Sequence, residues 1–388
     1  MFSSRLPADL TRNRLAQALD VLGTLGHPLV NLTESNPTRA GFDYPADLLA
    51  PLANPRGLAY APEPLGLLEA RQAVSAEYVR QGVDVPPDRV ALTASTSEAY
   101  GFLFKLLADS GDEVLVPRPS YPLFDHLTRL DLVEARPYDL EYHDSWSIDF
   151  ASVERALTKR TRAILVVSPN NPTGSFLKPG ELDRLAALCA DRDLSLIADE
   201  VFRDYELAPG AAAGAARVLD RRDVLVFSLG GLSKSIGLPQ AKLGWIAIAG
   251  PDARVSAALE RLEMVGDTYL SVSTPMQLAA AELLNRGAVI RHQIAARVRH
   301  NYEWLLERMT RVPACRALKS EGGWYAVIQV PSLQPEEDLV LDLLQRDHVL
   351  THPGYFFDFP RQTYLIVSLI VSAPLFAEGI DRIVRRHE

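Results

Sequence analysis

Cysteine is nearly absent: Cys189 and Cys315 are the only two in 388 residues. Two thiols so far apart make neither a disulfide framework nor a zinc-ligand set. Their apolar surroundings predict buried structural thiols rather than redox groups. No apolar run approaches the ~20 residues that a membrane span requires, and the N-terminal M-F-S-S-R-L-P lacks the apolar core of a secretion signal. Basic excess is missing too. The 40 Lys and Arg are outnumbered by 49 Asp and Glu, a net charge of −9 that argues against nucleic acid or an anionic membrane as partner. A reducing cytoplasm is the expected compartment. No repeat or low-complexity tract is visible, and the weakest stretch, P-G-A-A-A-G-A-A at 209–216, reads as a surface loop or short helix.

What is present is ordinary globular material, 47 % hydrophobic and 23 % charged, in a chain long enough for two to three domains. Helical spacing covers Leu10 to Leu22. From about residue 90, β-branched or apolar runs recur at Arg89–Thr93, Glu113–Pro117, Glu134–Leu140, Ala163–Pro169, Ser195–Asp199, Asp223–Leu229 and Leu243–Ala249. Helical stretches lie between them, such as Glu181–Asp191 with Leu182, Leu185, Ala186 and Cys189 on one face. This alternation predicts an α/β fold, a mostly parallel sheet sandwiched by helices. Between Leu229 and Leu243 there is no room for a crossover helix, so the strand after it is expected to be antiparallel. The count is then seven strands with one antiparallel member. From about Pro275 the texture becomes α+β, with helical spacing to about Met309, a strand near Gly323–Val330, a helix at Glu336–Arg346, a strand at Tyr364–Ile370 and a helix from Leu375. The expected division is a large domain at 45–275 and a small one built from 1–44 and 276–388.

Chemistry concentrates at the carboxyl ends of the strands, where open α/β sheets place ligands. The first is T-A-S-T-S-E-A, in which Ser95 followed by Glu98 is a capping-box pattern. The small residues Ser95, Thr96 and Ser97 leave backbone N–H groups open at a positive helix end, a setting suited to phosphate. Tyr121 in P-S-Y-P can lay its ring on a flat heterocycle. In S-P-N-N-P-T-G, Asn170 and Asn171 can donate to a ligand oxygen, although turn chemistry alone also explains that run. Asp199 in A-D-E-V-F ends a buried strand and needs a cationic or donor partner. Lys234, in the small-residue loop S-L-G-G-L-S-K-S, is a lysine whose desolvation lowers its pKa and frees it to attack a carbonyl. Lys242 follows eight positions later.

These motifs, with Y-A-P-E-P-L-G-L-L-E-A-R at 60–71, L-S-K-S-I-G-L-P-Q-A-K-L-G-W and G-G-W-Y at 322–325, occur in an order and spacing that resembles the class I/II aminotransferases. These are fold-type-I pyridoxal-phosphate enzymes, and the resemblance covers nearly the whole chain. It implies that Lys234 carries pyridoxal 5'-phosphate as a Schiff base and later moves the substrate proton. Asp199 would keep the pyridine nitrogen protonated, Asn171 would donate to the phenolate oxygen, and Tyr121 would stack on the ring. Ser95, Thr96, Ser97, Ser233 and Lys242 would hold the phosphate. Tyr60 would reach the neighbouring subunit's phosphate, implying a homodimer with shared sites. Asn36 and Pro37 would belong to a segment closing over substrate, and no metal is implied. The reaction implied is transfer of an amino group between an amino acid or related amine and a 2-oxo acid.

Three positions depart from the family pattern. Lys242 stands where arginine is usual and loses the bidentate fork. Phe202 replaces a tyrosine that donates to the phenolate oxygen, which predicts a raised Schiff-base pKa. Ile366 occupies the place of the arginine that grips the substrate carboxylate, and Arg361 and Arg39 are the candidate replacements. That last departure keeps open another reaction on the same cofactor: a lyase, decarboxylase, racemase or cyclase. A nucleotide-binding protein fits poorly, because G-G-L-S-K-S lacks the Gly just before Lys and no G-x-G-x-x-G opens a helix. A cofactor-sensing regulator would need a DNA-binding module, and the chain before residue 40 is short and weakly basic.

Overall fold

The computed structural model describes all residues except 1, 26–27, 332–333, 361–362 and 387–388. Numbered along the chain, its strands are β1 Val30–Asn31, β2 Val90–Thr93, β3 Glu113–Arg118, β4 Glu134–Tyr142, β5 Trp146–Ile148, β6 Thr161–Val167 and β7 Ser195–Asp199. They continue as β8 Val226–Gly231, β9 Gly244–Ala249, β10 Arg316–Ala317, β11 Tyr325–Gln329, β12 Val349–Leu350, β13 His352–Pro353 and β14 Tyr364–Ser368.

The central sheet has eight strands in the order β2-β9-β8-β7-β6-β3-β4-β5, which corrects the expected count of seven. The extra member is the three-residue edge strand β5, antiparallel to β4 and too short to leave a period in the sequence. Strand β9 is antiparallel to both β8 and β2, as the short Leu229–Leu243 connection requires. The remaining pairings are parallel. Both faces are covered, because alternate residues go to separate cores. Ile164 and Val166 of β6 join the larger cluster, while Ala163, Leu165 and Val167 join the other. Helix Pro179–Arg192 buries Leu182, Leu185, Ala186 and Cys189, the four residues that its period puts on one face. Each such leucine contributes about 2 kcal/mol of burial. Cys189 and Cys315 are both buried free thiols.

A second, four-stranded antiparallel sheet has the order β10-β11-β14-β13. N-terminal β1 pairs in parallel with β12, which joins the two chain ends. The long helical stretch is divided into Thr274–Arg286 and Ala288–Met309. The break is at Gly287, where an added Cβ would lie 2.7 Å from Ile236, so the two helices meet tightly beside the lysine segment. Residues 209–216 form turns rather than a helix.

Candidate active site

The carboxyl ends of the parallel strands open into one cleft of about 850 Å³. The parallel ladder puts Asp199 at the end of β7 and delivers β8 directly into a single helical turn, Leu232–Ser235, that carries Lys234. Lys234 is therefore on one turn of helix, not in the open loop expected from its glycines and serines. Helix Thr96–Leu107 starts against β9 because Gly244 has no side chain; a Cβ there would approach the Ser95 carbonyl carbon to 2.9 Å. Ser95 caps this helix, accepting from Glu98 N at 3.2 Å. The Glu98 carboxylate reaches back to Ala94 N, one residue before the cap, at 2.6 Å.

Ser95, Thr96, Ser97, Tyr121, Asn171, Asp199, Ser233 and Lys234 all line this cleft, as does Phe202. Burial pulls the Lys234 amine down to about 8, against an opposing push from the Asp199 charge. The amine sits over the Trp324 ring at 4.8 Å and near Phe202 at 5.6 Å. Its backbone is held from behind: the Tyr205 hydroxyl donates to the Lys234 and Ser235 carbonyls, and Arg291 Nε donates to the Ser235 carbonyl at 2.9 Å. Asp199 is buried, and burial raises its pKa against two donors that lower it. These are the Tyr100 hydroxyl, 2.7 Å from Oδ2, and Val201 N, 3.1 Å from Oδ1. The adjacent Glu200 bonds instead to Ser228 and Arg203. The acidic pair thus divides into one cleft group and one framework group.

The two asparagines divide in the same way. Asn170 spends its amide on Pro119, Thr173 and Ser120, fixing the turn. Asn171 Oδ1 is buried with no hydrogen-bond partner. An unpaired carbonyl oxygen beside an open cleft leaves this amide available to a polar ligand.

Several expected residues do not line the cleft. Lys242 is exposed, with left-handed backbone (φ 55°), although its neighbour Leu243 is at the wall. Tyr60 is 80 % exposed and borders a separate depression with Glu63 and Ser271. Asn36 caps its own turn, accepting from Thr38, although Ser35 before it does line the cleft. Ile366 is fully buried, in register with Val327 and His352. Arg39 is exposed and away from the wall, and Arg361 lies outside the described residues. Among the described residues lining the cleft, Lys234 is the one cation. Sequence reasoning missed Tyr100, Ser35 and the wall formed by Phe124, Leu127 and Tyr325. For Tyr100 a signal existed: it is four residues after Thr96, on the same helix face.

The sequence model for aminotransferase class I and II matches residues 29–383. Alanine aminotransferase of Mycobacterium tuberculosis is 30 % identical over 372 residues, covering 92 % of this chain and 85 % of the relative. Glutamate-pyruvate aminotransferase of Escherichia coli is 28 % identical over 346 residues, covering 86 % and 84 %. Among solved structures, alanine aminotransferase from Pyrococcus furiosus superposes with a TM-score of 0.87 at 24 % identity, covering 100 % of this chain and 99 % of that one, which shows a shared fold. The protein is a member of the class I and II aminotransferase family.

Proposed function

We propose that this chain is a pyridoxal-phosphate-dependent aminotransferase that moves an amino group between an amino acid and a 2-oxo acid. The observation that carries it is the convergence, in one cleft, of a desolvated Lys234 amine, the buried Asp199 and Asn171. The family depends on this cofactor, and the residues present fit it. Ser95, Thr96, Ser97 and Ser233 would hold the phosphate at the helix start, Tyr121 would cover one ring face, and the Asn171 amide would turn its Nδ2 to donate to the phenolate oxygen. Lys242 and a neighbouring subunit's Tyr60 would complete the cradle, which makes a homodimer part of the proposal. The 80 % exposure of Tyr60 in the single chain supports that role. When bound, the cofactor supplies an aldehyde that condenses with primary amines and a protonated ring that withdraws electrons from the substrate carbon. Asp199 would hold a proton at the ring nitrogen. The Lys234 amine would take a proton and return it. A cytoplasmic setting and the division into 45–275 and 1–44 with 276–388 belong to the same reading, the latter supported by the β1–β12 pairing.

The relatives' names point to alanine or glutamate as donor and pyruvate as an acceptor. The test is a donor and acceptor panel on the purified protein, read by the 2-oxo acid formed. Transfer that requires an acceptor supports the proposal. Carbon dioxide or ammonia released without an acceptor overturns it in favour of a lyase or decarboxylase, the reading favoured by Ile366. At that position the sheet offers Val327, Ile366 and His352, and burial drives His352 down to about 4, leaving it neutral near pH 7. A substrate carboxylate in the cleft would rest on neutral donors such as Ser35 and Tyr325 rather than on a fork of arginine N–H groups.

A further inference from the structure

Helix Thr96–Leu107 touches the cleft twice. Its first turn, Ser95 to Ser97, is at the rim. One turn later Tyr100, 2 % exposed, reaches the same cleft from below and donates its hydroxyl to Asp199 Oδ2 at 2.7 Å. The ring has no freedom to leave: Phe104 stacks on it at 6.1 Å and Phe124 meets it edge-on at 5.5 Å. Asp199 Oδ1 is taken by Val201 N. Each carboxylate oxygen thus has one framework donor and one remaining lone pair, and the residue borders the cleft through those.

A carboxyl buried in this way would ordinarily pick up a proton, since desolvation penalises the anion. Two fixed donors act against that. They stabilise the anion far more than the neutral acid, because hydrogen bonds to a charged acceptor are the stronger ones. The phenol is a donor of fixed direction: burial and the Asp199 charge both push its own pKa well up, so it keeps its proton. Nothing else among the described residues donates to Oδ2.

We propose that Tyr100 is a positioning residue for Asp199, whose donation to Oδ2 holds the carboxyl as the anion and so leaves the proton on the ring nitrogen of the bound cofactor. This rests on the functional reading above and goes beyond it. The balance is a single proton shared between two sites, Asp199 Oδ and the ring nitrogen. Removing the phenol shifts it toward the carboxyl. The helix that carries the small residues at the phosphate end therefore also sets the charge at the opposite end of the ring. In a site where Phe202 supplies no donor near the phenolate oxygen, the electronic setting of the ring falls more heavily on this pair.

The test is Tyr100→Phe, which keeps the ring and its packing and deletes one oxygen. The holoenzyme is loaded with cofactor labelled at the ring nitrogen and read by 15N NMR, with the visible band followed against pH in parallel. Losing a hydrogen bond to a charged group raises the carboxyl's proton affinity at least about tenfold. The 15N resonance should accordingly move from the protonated toward the unprotonated position, and the band should convert at higher pH. Tyr100→3-fluorotyrosine, a stronger donor of nearly the same shape, should move both readings the other way, and it decides the question if the phenylalanine variant does not fold. A parent resonance that neither variant moves overturns this assignment alone. A parent protein that binds no cofactor overturns the functional reading and this assignment with it.

Discussion

The proposed uptake of pyridoxal phosphate at Lys234 carries a pH dependence set by the burial of that amine. The amine must be neutral to attack an aldehyde, and burial brings it down to about 8 from the 10.5 of a free lysine. At pH 8 about half of the protein then carries a neutral amine, against roughly one molecule in 300 for a solvated lysine, a gain of about 150-fold in reactive form. The perturbation is pH itself. Cofactor-free protein is mixed with pyridoxal phosphate in a stopped-flow spectrometer, and the rate of appearance of the visible band is followed from pH 6 to 10. The rate should rise tenfold per pH unit and level off near pH 8. Asp199→Asn removes the charge that raises the amine's pKa, so the plateau should begin at lower pH in that variant. A rate that keeps climbing past pH 10 would refute the desolvation argument. An Asp199→Asn profile displaced to higher pH would refute the sign of the coupling.

Other consequences are independent of that profile. The depressed folded-state pKa of Lys234 means that the unfolded chain binds the proton more tightly, so a penalty on the cofactor-free fold sets in as pH falls below 10.5 and reaches its full size, about 3 kcal/mol, near pH 8 and below. Lys234→Met should raise the urea midpoint of the cofactor-free protein at pH 7, and a lowered midpoint would count against a desolvated amine. His352 obeys the same sign. Its folded value of about 4 lies below the ordinary 6.5, so its contribution is intact above pH 6.5 and is lost as pH falls toward 4, by up to about 3 kcal/mol. Comparing His352→Gln with the parent should show a flatter stability profile across that window. Phe202→Tyr places a donor beside the cleft, and the visible band of the loaded protein should convert at lower pH; an unchanged conversion means that position 202 does not reach the cofactor. Arg291→Met removes one of the two arginines on buried Glu77, leaving Arg80 at 2.7 Å, and leaves the Ser235 carbonyl to Tyr205 alone. A loss of about 1 to 3 kcal/mol is expected, measured by denaturant unfolding.

Much of the sheet was legible because buried parallel strands are continuous apolar runs bounded by turn residues. Ser195–Asp199 has the same limits in sequence and structure, and β9 is antiparallel for the reason that its short connection dictates. Strand β5 was not legible, since three residues at an edge carry no period. The cleft residues that follow strand ends could be found by their position and chemistry. Asn170 and Asn171 could not be told apart by turn chemistry, because the choice depends on Pro119 and Ser120, about 50 residues away, which occupy the first of them. The bond between Tyr100 and Asp199 was not legible, because the two lie 99 positions apart in the chain. Lys242 matched a spacing, and in the single chain it is exposed, with left-handed backbone, next to the wall residue Leu243.

The central claim is that Lys234 holds the cofactor covalently. Borohydride reduction of the yellow protein followed by peptide mass spectrometry tests it most directly. The account predicts loss of the visible band and the reduced cofactor's mass on the peptide containing Lys234, with neither in Lys234→Ala. A protein that takes up pyridoxal phosphate but is modified at another lysine, or at none, would contradict it.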